Sequence, residues 1–63
     1  MTSYLIYGHK PGFGEKEFEL CIMRGENIMG AVDMAEALYG AENVTAARSM
    51  PLAYNAETWR KPE

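Results

Sequence analysis

Apolar positions at Ile28, Ala31, Val32, Ala35, Leu38 and Tyr39 recur at the three- and four-residue spacing that stacks side chains along one side of a helix. Asp33 and Glu36 fall on the opposite side, so the pattern predicts an amphipathic helix from Ile28 to Gly40. Asn27 offers a side-chain oxygen to its first turn, and Gly40 suits the left-handed conformation that ends many helices. Met29 and Met34 lie off the main stripe, where they widen the buried face or give a second, adaptable contact surface.

Ahead of the helix the period changes from 3.6 to two. Between Lys16 and Arg24, Phe18, Leu20 and Ile22 alternate with Glu17, Glu19 and Cys21, which predicts a strand with a core face and a wet face. Tyr4 to Tyr7 is apolar on both sides, as a central strand is, and Gly8, Pro11, Gly12 and Gly14 after it mark a hairpin loop. Beyond the helix, Asn43 turns the chain into a third strand, Val44 to Met50, which Pro51 ends. Leu52 to Trp59 predicts a short fourth strand or a packed tail, and residues 60–63 are expected to fray.

Neither a helix stripe nor a half-apolar sheet can bury its greasy side alone. The order strand, strand, helix, strand therefore predicts an α+β two-layer sandwich with one helix across one face of a mainly antiparallel sheet. Three strands are required and a fourth is within reach. Placing strand three beside strand one gives the order 2-1-3 and makes the sheet fully antiparallel. Either Leu5 with Tyr7 or Tyr4 with Ile6 can meet the helix. One domain, 1–63, with its core in 3–59, accounts for the chain.

Composition adds bounds. A 63-residue chain buries only about 60% of the surface it exposes when unfolded, so stability is expected to be small, although 48% hydrophobic residues suffice for a compact core. Cys21 is the single cysteine, which excludes an internal disulfide and favours a reducing cytoplasm. No apolar run approaches the roughly 20 residues of a membrane span, and Met1 to Tyr7 lacks the marks of a signal peptide. Nine acidic against six basic residues give a net charge of -3, with the cations scattered. Direct nucleic-acid binding is not expected, because phosphate neutralisation needs clustered Lys and Arg.

The candidate chemistry is sparse. Gly8, Gly12 and Gly14 sit between two predicted strands, whereas a phosphate-cradling loop leads into a helix N-terminus. His9 and Cys21 are the only strong transition-metal side chains, short of the four ligands of a structural zinc site, so no metal or cofactor is expected. Cys21 shares its predicted strand face with Glu19, which disfavours a thiolate nucleophile, and Ser3 and Ser49 lack an activating neighbour. An enzyme is not expected. Glu15, Glu17 and Glu19 recur every second residue, ~6.7 Å apart on one strand face, and form a candidate acidic partner-binding ridge. Tyr54 and Trp59 are candidate interface anchors that serve equally to close a small core.

The succession YLIYG, a glycine hairpin, EFELCIMRG, ENIMGAVDMAEALYG, NVTAARSM and LAYNAETW resembles small phage-encoded proteins that inhibit bacterial immunity, the type I anti-CRISPR proteins in particular. The resemblance rests on size and element order over nearly the whole chain and assigns no role to any residue. It implies a non-enzymatic inhibitor, in the host bacterial cytoplasm, that binds a Cas subunit of a CRISPR surveillance complex and blocks DNA recognition or nuclease recruitment. Two other readings stand beside it: a structural or regulatory homodimer joined through the edge strand or the open sheet face, and a small-ligand binder using the glycine loop with His9 and Cys21.

Overall fold

A computed structural model describes residues 2–50 and 57–62. The elements are β1 (Thr2–His9), β2 (Glu17–Gly25), α1 (Ile28–Tyr39), β3 (Val44–Met50) and β4 (Thr58–Arg60). The strands form one antiparallel sheet in the order β2-β1-β3-β4, with α1 packed on one face. This is the expected α+β sandwich with its fourth strand present. β1 is central, as its two-sided apolarity predicts. Pairing runs further along the chain than expected: Trp59 lies opposite Ala47, Arg60 opposite Ala46, and the Lys61 amide donates to the Thr45 carbonyl at 2.8 Å.

Helix α1 begins where Asn27, in extended conformation, accepts a hydrogen bond from the Gly30 amide through Oδ1 at 2.8 Å. It ends at Gly40, whose φ of 94° is open to glycine at little cost and whose amide donates to the Glu36 carbonyl at 2.8 Å. Ala31, Val32 and Ala35 are buried against Tyr4 and Ile6 of β1, Met23 of β2, and Val44 and Ala47 of β3. Tyr4 and Ile6, rather than Leu5 and Tyr7, thus meet the helix. The alanines let its backbone come close to the sheet, and Tyr4, Ile6, Val32 and Val44 fill the space between. Leu38 and Tyr39, expected in the buried stripe, are instead exposed.

A β-bulge explains the larger departure. Ile6 pairs with Cys21 but Tyr7 pairs with Glu19, so Leu20 is the extra residue. The bulge reverses the alternation across it. Leu20, Cys21 and Met23 all pack at the helix side, while Ile22, expected in the core, stands exposed on the open face. Cys21 was expected on the wet face beside Glu19 and is instead against the core. A matching shift between Tyr7 and Gly8 leaves Thr45 as the extra residue of β3.

Gly8 lies inside β1 rather than in the loop. A side chain there would overlap the Asn43 carbonyl and the Leu20 side chain, at the point where the His9 amide donates to that carbonyl at 2.7 Å. Replacing Gly8 by Ala is therefore expected to cost about 1–3 kcal/mol of stability in urea titration, by overpacking a site closed partly by backbone. Asn27→Ala is expected to cost about 1 kcal/mol through loss of the cap.

Candidate functional site

The three ridge glutamates are held in different ways. Glu17 and Glu19 flank Phe18 at the start of β2, opposite His9 and Tyr7, and share the open face because the bulge begins only after them. Glu15 sits in the turn before the strand. The ridge of the strand itself is thus two residues long, extended by a turn residue.

Glu17 is fastened across the sheet. Its Oε2 accepts from the Thr45 hydroxyl at 2.7 Å and from Arg60 Nη1 at 3.1 Å, and its Oε1 lies 3.3 Å from Arg60 Nη2. The guanidinium fork therefore engages both carboxylate oxygens. Thr45 reaches this position as the extra residue of β3, and Arg60 as the last residue of β4. A carboxylate on one sheet edge is thereby tied to a cation on the other, across the two strands between them. Glu15 and Glu19 have no such cation partner among the described residues.

Around this clamp lies a groove of about 590 Å³, lined by Glu15, Glu17, Glu42, Arg60 and Lys61, with His9, Thr45 and Pro62. His9 Nδ1 is 3.2 Å from the Lys16 carbonyl, which only an N–H at that atom can satisfy. Lys61 Nζ donates to the Ala41 carbonyl at 2.7 Å, so one rim of the groove is braced against the chain following α1. Charges of both signs line the groove. Its remaining carboxylates, Glu15 and Glu42, stand beside the neutralised pair.

Of the two aromatic anchors, Trp59 is half-buried and packs against the core from β4. Tyr54 lies outside the described residues. Nothing in the local sequence marks the Glu17, Thr45 and Arg60 cluster, because Thr45 and Arg60 lie 28 and 43 residues from Glu17 in the chain. Arg60 itself stood in the segment expected to fray.

His9 and Cys21 are not brought together. Cys21 faces the helix opposite Ile6, three residues from His9 along β1, or about 10 Å at the usual rise. Interaction with the Cys21 side chain raises the Tyr39 hydroxyl above its ordinary pKa. The glycine loop runs from strand to strand. Among the described residues there is no grouping of three or more His, Cys, Asp and Glu suited to hold a metal, and no helix long and apolar enough to cross a membrane. No family model, curated protein or solved structure matches the chain.

The hydrogen bonds from Arg60 and then Thr45 hold the Glu17 carboxyl below its usual pKa of 4.5. Because the folded form binds this proton less readily than the unfolded chain, the clamp adds stability above pH 4.5 and loses it as pH falls through the lowered value. Solvent screens the pair, since the Arg60 side chain is largely exposed, so the effect is expected to be small. Glu17→Gln should flatten the acid limb of the stability curve below pH 4.5, read by thermal melts from neutral to acid pH, with little change in the helix signal.

Proposed function

We propose that this chain is a non-enzymatic interaction domain that covers a basic surface of a larger protein partner with the acidic hairpin end of its sheet. The observation that carries this reading is the arrangement around Glu17: a carboxylate locked by Arg60 and Thr45 fixes the strand, while Glu15 and Glu19 stand beside it with no cation partner among the described residues. A rigid platform lowers the ordering cost of binding, and unpaired acids give charge complementarity at little desolvation cost in the free protein. The net charge of -3 favours approach to a cationic surface.

The resemblance to type I anti-CRISPR proteins supplies a specific partner, a Cas subunit of a CRISPR surveillance complex. Surfaces that recognise DNA must present Lys and Arg to the phosphates, and these are what exposed carboxylates compete for. The carboxylate spacing of ~6.7 Å is about twice the ~3.4 Å charge spacing of one DNA strand, so the mode is occlusion of the surface rather than imitation of the duplex. Blocking nuclease recruitment uses the same kind of contact.

Glu15→Gln combined with Glu19→Gln is expected to weaken binding to a purified type I complex about tenfold at low salt and to flatten its salt dependence, measured by biolayer interferometry. Glu17 is left intact in that variant because its carboxylate holds the sheet. Unchanged affinity would move the contact off the acidic end. A wild-type protein that neither binds such a complex nor lowers interference in cells would remove the CRISPR partner.

A further inference from the structure

Among the described residues, five of the six large hydrophobic side chains that remain exposed border the β2 edge of the molecule. Ile22, 57% exposed, lies on β2 itself, and Phe13, 62% exposed, stacks edge to face on Phe18 of β2 with ring centroids 5.4 Å apart. Leu38 and Tyr39, 70% and 39% exposed, line a cavity of about 450 Å³ together with Leu20 of β2. Met34, 51% exposed, is one helical turn before Leu38 and on the same flank of α1. Apolar surface therefore borders β2 from the helix layer above and from the open face below.

β2 is also an outermost strand. It is nine residues long, against three for β4 at the other edge, and one row of its backbone N–H and C=O groups points away from β1. Its first half carries the devices that protect edges: Glu17, Glu19 and the bulge at Leu20. The second half, Cys21 to Gly25, pairs with β1 without interruption and has Arg24 as its only charge.

We propose that two copies of this chain join through this half-edge, β2 pairing antiparallel with its symmetry mate about a two-fold axis at Ile22, so that the four-stranded sheet continues as eight strands. The charge pattern selects a second copy. An antiparallel register centred on Ile22 sets Arg24 of each copy opposite Leu20 of the other. Because the bulge turns both Leu20 and Cys21 towards the helix layer, the nearest open-face neighbour of Arg24 is the mate's Glu19. The two-fold repeats that cation and carboxylate contact at both ends, with Ile22 against Ile22 between them. On the helix side, Met34 and Leu38 of each copy come to border the new pairing. The unpaired backbone row and both apolar borders are covered by one operation.

Sedimentation equilibrium from about 1 µM to 1 mM, with no other protein present, tests this. The expected result is a concentration-dependent rise from 7.1 kDa to twice that mass. Ile22→Lys, at a position exposed in the single chain, is expected to weaken association at least tenfold with an unchanged circular-dichroism spectrum. Arg24→Glu should do the same, and Glu19→Arg added to it should restore the dimer. Directly opposed strand residues lie about 4.5–5.5 Å apart at Cα, within reach of a disulfide. Ile22→Cys in a Cys21→Ser background should thus form a covalent dimer under mild oxidation. A monomer throughout the concentration range would overturn the proposal and leave the edge to a strand of another protein, as would a dimer indifferent to Ile22→Lys and to the charge exchange.

Discussion

The contact on which everything else rests is the close seat of α1 on the middle of the sheet. Ala31 and Ala35 present almost no side-chain bulk, so the helix backbone descends onto β1 and β3, and Val32 from the helix with Tyr4, Ile6 and Val44 from the sheet fills the interface. A single layer of this kind is all the core a short chain can assemble. Its geometry dictates the rest: a helix resting on the central strands leaves β2 projecting at one side and covers only one face of the sheet.

The features that follow local rules were legible in the residues. The helix, its Asn27 cap and its Gly40 terminus depend on spacings of three and four, and these survive in the structure with the end one residue earlier. The central place of β1 followed from apolar residues on both its faces. What the sequence concealed were the points where the period slips. A bulge adds one residue and inverts every side chain beyond it, so the even alternation of Phe18, Leu20 and Ile22 pointed at the wrong face for Ile22, and Cys21 was assigned to the wrong side with it. Leu38 and Tyr39 kept the helical spacing but ride out over the hairpin end, where the sheet gives them only partial cover.

The acidic ridge was legible as a spacing and misleading as a uniform object. Glu17 is consumed in holding Thr45 and Arg60, whereas its neighbours two residues to either side keep their charge for solvent or for a partner. No inspection of neighbouring residues reveals such a division, because the partners arrive from β3 and β4 through pairings over most of the chain. The same long-range pairings carry the fourth strand, expected to end by Trp59, on to Arg60, which was expected to fray. The clamp and the bulge thereby sort one stretch of β2 into a half that is charged and fastened and a half that is apolar and unprotected.

The order of the strands in space differs from their order of synthesis. β1 lies in the middle of the sheet, yet Ser3 pairs with Met50 and Tyr4 with Ser49, so one of its two sides stays bare while the hairpin, the helix and β3 leave the ribosome. A hairpin with one face unburied is barely stable in water. The nascent chain therefore carries its most apolar strand uncovered through most of translation, a period in which chaperone contact or misassembly with a neighbouring nascent chain competes with folding. Closing that gap quickly falls to the short, well-capped helix, which brings β3 back to β1 from the far end of the crossover.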